Sequence, residues 1–88
     1  MNFDLQLFAE DALERQTSNQ LRKGIRSLKK KIEEHRLKIK EPWKVYADWY
    51  EEPDKQLGRI AHWLHEIKNF TESIQSRIDE LEKRGEQP

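Results

Sequence analysis

Cysteine is absent from this 88-residue chain, so neither disulfides nor thiolate metal sites are available to hold it together. Glycine and proline number three each, and none of the glycines belongs to a phosphate-cradling signature. No apolar run approaches the roughly twenty residues that a membrane-spanning helix needs. The start, Met1-Asn2-Phe3-Asp4, lacks the basic region and apolar core of a secretory signal. A reducing, cytoplasmic setting without membrane contact is therefore expected. An excess of one charge is missing too: 17 Lys and Arg balance 17 Asp and Glu. That balance argues against both a dedicated nucleic-acid binder and an acidic mimic of one. Ser18, Ser27, Ser73 and Ser76 have no placed base, so neither an enzyme nor a cofactor is expected.

What is present is a great deal of charge and a narrow apolar stripe. Charged residues make up 39% of the chain and apolar ones 34%, a poor supply for filling a round globule of this size. Long amphipathic helices need only a stripe. Leu21, Ile25, Leu28, Ile32, His35 and Ile39 recur in steps of four and three, the seam spacing of a coiled coil. Leu57, Ile60, Leu64, Ile67, Thr71, Ile74, Ile78 and Leu81 do the same. Pairing Leu21 with Leu81, Ile25 with Ile78, Ile32 with Thr71 and Ile39 with Leu64 keeps the sum of residue numbers nearly constant. Only a chain that folds back on itself has this property. The expected fold is all-α: an antiparallel two-helix coiled-coil hairpin with an aromatic bend and a short N-terminal helical or flexible segment.

Punctuation in the sequence sets the boundaries. Residues 1–16 form an apolar N-terminal segment, read either as folding back on the hairpin or as a docking hook. Thr17 and Gln20 have capping-box spacing, so the first helix is expected over 18–40. Pro42 ends it, and a bend spans 41–53. Pro53 suits the first turn of a second helix over 53–84, and Gly85 suits the left-handed residue beyond. The hairpin unit thus covers 17–85, and 86–88 is a frayed tail.

Flanking the seam, Arg22 is expected near Glu82, Lys31 over Phe70 and Lys38 over Trp63. Trp63 and Phe70 widen the second stripe beyond what two helices need, which implies a third layer: the N-terminal segment, a second copy or another protein. In the bend, Trp43 and Tyr46 are expected inward as an end cap, and Trp49 and Tyr50 outward as a binding tip. The candidate protein-binding residues are therefore Phe3, Leu7, Phe8, Trp49, Tyr50, Trp63 and Phe70.

Two further groups carry chemistry. The stretch from Thr17 to Glu41 holds nine Lys or Arg against three Glu. Arg22, Lys23, Arg26, Lys29, Lys30 and Lys31 are the candidate phosphate contacts within it, against the alternative of a solvated face. His62, His65 and Glu66 have metal-like spacing, but the heptad points both histidines outward and sets His35 on the inner seam facing Ile67, so no metal site is expected. A neutral His35 in an apolar seam predicts destabilisation below about pH 6, against the alternative of a rim histidine with its tip in water.

Two pieces of the sequence resemble known ones. Phe3-Asp4-Leu5-Gln6-Leu7-Phe8-Ala9-Glu10 resembles the start common among head-region proteins of tailed phages of Gram-positive bacteria. Lys23-Gly24-Ile25-Arg26-Ser27-Leu28, Glu34-His35, Lys40-Glu41-Pro42, Tyr46-Ala47-Asp48-Trp49, His62-Trp63, Glu66-Ile67 and Asn69-Phe70 resemble a small helical phage and prophage family. Its members are encoded near minor head proteins and are related to accessory regions of polymorphic toxins. The similarity covers most of residues 1–85 and transfers no catalytic or binding residue. It implies origin, and role only loosely. The expected function is a non-enzymatic protein-interaction module of phage origin, in head morphogenesis or as a minor structural component, in the host cytoplasm or the virion, with phage head components or a second copy (a homo-oligomer) as partners. The alternatives are a nucleic-acid or phosphate-contacting protein acting through the basic helix, and a small inhibitor of a host enzyme or defence complex.

Overall fold

The computed structural model describes residues 13–88. Two long helices, α1 (Ser18–Lys40) and α2 (Pro53–Lys83), pack against each other, with a 3-10 turn at Pro42–Lys44 between them. No strand occurs among the described residues, and no helix among them is long and apolar enough to cross a membrane. Contacts join the start of α1 to the end of α2, as Ser18 Oγ donates to the Glu86 carboxylate. Farther along, Lys31 Nζ stands 5.8 Å from the Phe70 ring centre.

The helix ends are built from their own residues. Thr17 Oγ1 accepts from the Gln20 amide at 3.1 Å, while Gln20 Oε1 accepts from the Thr17 amide at 2.9 Å. This reciprocal box satisfies two of the donors orphaned at a helix start. Pro42 cannot continue α1, and Pro53 opens α2 where a missing amide costs nothing. Gly85, at φ 75°, closes α2. Its amide reaches Glu82 O at 2.9 Å and the Glu86 amide reaches Leu81 O at 2.9 Å, the pair of bonds of a Schellman motif.

Leu13, Leu21, Ile25, Ile32, Ile74 and Leu81 form the buried core, flanked by Leu28, Ile67, Phe70 and Ile78. Leu13 thus joins the core from residues 13–15, a helical piece preceding α1. Residues 86–88, expected to be a frayed tail, are partly held instead: besides the Ser18 bond, Gln87 O accepts from Arg22 Nε at 3.1 Å. Arg22 consequently meets Glu86, at 3.8 Å, rather than the expected Glu82.

The first half of α2 departs from the heptad. Leu57 is 82% exposed and Leu64 53%, whereas Trp63 is only 4% exposed. Position 63 faces inward because the connecting segment supplies rings for it to meet. Trp49 stacks on it at 6.4 Å between ring centres, and Tyr46 lies at 5.8 Å. Burying an indole removes more apolar surface from water than burying a leucine, so Trp63 sets the rotation of α2 here and the leucines are turned out.

Glycine space gives a paired prediction. A Cβ on Gly24 would lie 2.8 Å from Arg77 Nε, a buried nitrogen without a hydrogen-bond partner among the described residues. Arg77 is tethered by its Nη1 bond to Ser73 O at 3.0 Å. A Cβ on Gly58, also inside a helix, would meet nothing within 4 Å. Gly58→Ala is therefore expected to stabilise by about 1 kcal/mol through helix propensity. Gly24→Ala is expected to destabilise in wild type and to stabilise by a similar amount in an Arg77→Ala background. Urea melts of the four variants check this; equal gains at both glycines would refute the close approach.

Candidate protein-docking surface

The segment between the helices is pinned by polar bonds to the first turns of α2. Arg59 Nη1 and Nη2 donate to Asp48 Oδ1 and Oδ2 at 3.1 and 3.3 Å, and its guanidinium lies 3.8 Å over the Tyr46 ring. These hydrogen bonds, against the opposing effect of desolvation, hold the Asp48 carboxyl below its usual range. Gln56 Nε2 donates to Trp49 O at 2.8 Å. Such a bidentate fork fixes both direction and distance, so the segment is held as a defined shape.

That shape inverts the expected orientation of two aromatic residues. Trp49, expected outward, is 6% exposed on Trp63, and Trp43, expected inward, is exposed and stacks on Tyr50 at 6.3 Å. Tyr50 is open at the surface, as expected. Of the candidate protein-binding residues, Trp49 and Trp63 are thus interior, and Phe70 is half-buried beneath Lys31 and edge-on to His35 at 5.1 Å. Phe3, Leu7 and Phe8 lie outside the described residues. Among the described residues the exposed large apolar side chains are Leu37, Trp43, Val45, Tyr50, Leu57 and Leu64. All fall between positions 37 and 64, so this surface belongs to one end of the molecule. A shallow groove there is lined by Leu37, Lys38, Glu41, Lys44 and Val45.

Sequence reasoning missed Leu37, Val45, Leu57 and Leu64 as surface residues. For Leu57 and Leu64 the available signal was the aromatic density at 43–50, where rings that need burial displace smaller side chains from the nearest seam positions. Leu37, between the seam positions His35 and Ile39, is turned outward by helical spacing alone. The cation expected over Trp63 is likewise placed elsewhere, as Arg59 over Tyr46.

His35 is buried, but its neighbour is not the expected apolar one. Nδ1 is 2.9 Å from Lys31 O, and since a carbonyl can only accept, Nδ1 carries a proton. Nε2 meets a carboxylate oxygen of Glu66, whose other oxygen is 2.8 Å from His62 Nε2. His35 thus sits between the Lys31 carbonyl and the Glu66 carboxylate, not in the purely apolar seam on which the expectation of acid damage rested. The hydrogen bond from His35 is the main cause that holds the Glu66 carboxyl below its usual range; burial opposes it, and the charges of His62, His35 and Lys38 add to it.

The sign follows from linkage. A carboxyl whose folded pKa is depressed lends stability above its unfolded value, near 4.5, and loses it as pH falls through the folded one. The melting-temperature advantage of wild type over Glu66→Gln should therefore shrink as pH falls from 5 to 3. An advantage constant across that range would show that Glu66 is not held by this bond. His65 takes no part in the arrangement and is exposed. Among the described residues no group of three or more His, Cys, Asp or Glu is placed to hold a metal ion.

The six basic candidates of α1 do not share one face. Arg22 is half-buried and engaged by Glu86, Gln87 and Asn19. Lys31 lies over Phe70. Lys29 borders a groove with Ile32 and Ile74. Lys23, Arg26 and Lys30 are exposed and fall together on the outer face by helical spacing. Comparison with protein-family models, with curated proteins and with solved structures finds no match to the chain.

Proposed function

We propose that this chain is a non-enzymatic protein-interaction module of phage origin, built as an antiparallel coiled-coil hairpin with an aromatic bend and acting in head morphogenesis or as a minor structural component. The carrying observation is that Leu37, Trp43, Val45, Tyr50, Leu57 and Leu64, the exposed large apolar side chains among the described residues, all fall between positions 37 and 64. Aromatic and aliphatic side chains exposed together mark sites where another protein removes them from water. Two carboxylates held below their usual range are occupied structurally, Glu66 between two histidines and Asp48 on Arg59. The phage assignment rests on the resemblance of residues 3–10 and of the motifs through 23–70.

Affinity capture with the whole chain from infected Gram-positive cells tests the reading. Capsid or portal components are the expected catch, lost with Tyr50→Glu or Leu57→Glu. Capture of a host nuclease or defence protein in their place would favour an inhibitor. Retention of DNA that fades steeply with salt and needs Lys23, Arg26 and Lys30 would favour phosphate contact.

A further inference from the structure

We propose that one open face of the α1–α2 layer receives an amphipathic helix with acidic flanks from another protein, a deepening that rests on the interaction-module reading above. The molecule measures 51 × 29 × 14 Å, so its thin dimension is little more than one helix diameter. Helical domains ordinarily bury both sides of such a layer. One side is filled: Trp63 and Phe70 cover it, and the Arg77 stem closes over Gly24.

The other side is not. A groove of about 490 Å³ opens there, lined by Lys29, Ile32, Glu33, Arg36, Thr71 and Ile74. Steps of seven carry the Thr71 line along α2 to Leu64 and Leu57, both exposed. The apolar strip from Ile74 to Leu57 is therefore about 26 Å long, the length of a helix of roughly 18 residues. Its ridged, two-helix floor is the shape that a third helix packs into.

Charge selects the occupant. Lys29, Glu33, Arg36 and Lys40 form a row along the α1 edge at helical spacing, and Lys68 lies one turn beyond Leu64 on the α2 edge. All are exposed; Glu33 is engaged by Arg36 at 2.6 Å, and with Glu72 one turn past Lys68 counted the rim still carries four cations against two carboxylates. Lys29, Lys40 and Lys68 take part in no ion pair among the described residues. A second copy seated face to face would set this basic rim against itself. A helix flanked by Glu or Asp would complete it, and like charges across the rim exclude a basic one.

Two synthetic peptides of about 18 residues provide the probe, with one leucine stripe and either glutamate or lysine flanks. Fluorescence anisotropy with the full chain should show the glutamate peptide binding at least about tenfold more tightly than the lysine peptide. Leu64→Asp should weaken that binding at least about tenfold with an unchanged melting temperature. The double substitution Arg36→Glu, Lys68→Glu should reverse the preference. Equal affinities, or no binding of either peptide, would overturn the proposal, as would a dimer in sedimentation that Leu64→Asp dissolves. If head components are captured through Tyr50 while neither peptide binds, only this groove assignment fails. If no phage protein is captured at all, the interaction reading itself fails.

Discussion

Replacing Trp63 with alanine is expected to remove about 3–5 kcal/mol of folding stability, the usual cost of deleting a buried indole. Small domains hold about 5–15 kcal/mol in total, and one of this size lies towards the lower end, so the variant should be largely unfolded near body temperature. The effect is large because Trp63 does two jobs. It is buried, at 4% exposure, and it is the surface on which Trp49 and Tyr46 rest. Loss of the indole therefore releases the connecting segment as well as opening a cavity. Urea denaturation followed by far-ultraviolet circular dichroism gives the magnitude. Trp63→Phe should recover part of it, because a smaller ring still packs against Trp49. A loss under about 1 kcal/mol for the alanine variant would mean that the packing of Trp63 against Trp49 and Tyr46 does not hold the connecting segment.

Leu81→Ala should cost about 2.7–5 kcal/mol, whereas Leu57→Ala should change stability by no more than about 0.5 kcal/mol. The heptad gives the two leucines the same standing. In the folded chain Leu81 has 0% exposure and touches the Leu21 and Ile25 cluster, while Leu57 stands almost wholly in water. Matched thermal melts decide the matter. A large loss at Leu57 would restore the seam rotation expected from periodicity and remove the open strip from α2.

This contrast shows where reading from residues succeeds. Leu21, Ile25, Ile32, Ile74 and Leu81 were legible as core because only one stripe of a helix repeats in threes and fours. The ends were legible because Thr17 with Gln20, Pro53 and Gly85 each meet a local backbone need that no distant contact alters. What was not legible sits around the aromatic residues. Which of Trp43 and Trp49 goes inward depends on the path of the segment, and that path is decided by Arg59 gripping Asp48, a contact between residues eleven apart with no periodic signature. Once Trp49 is inside, Trp63 follows and Leu57 and Leu64 are displaced.

The histidine pair teaches a similar lesson at finer scale. Periodicity set His35 opposite Ile67, and the neighbour that matters is Glu66, one position away. Seam arguments place a residue to within about one neighbour, but the chemistry of a buried ring turns on which of the two it meets. The exposure of Leu57 and Leu64 was the least legible, since it depends on what the rings take up, whereas that of Leu37 follows from its place off the seam.

The bonds from Arg84 Nη2 to the carbonyls of Leu13 and Glu14, at 3.1 and 3.2 Å, join residues 71 and 70 positions apart. During synthesis, then, residues 13 and 14 cannot take up these bonds until the whole of α2 has cleared the ribosome. Closure of this end of the two-helix layer must therefore follow the making of α2, and until then the apolar stripe of α1 has no α2 partner within the chain.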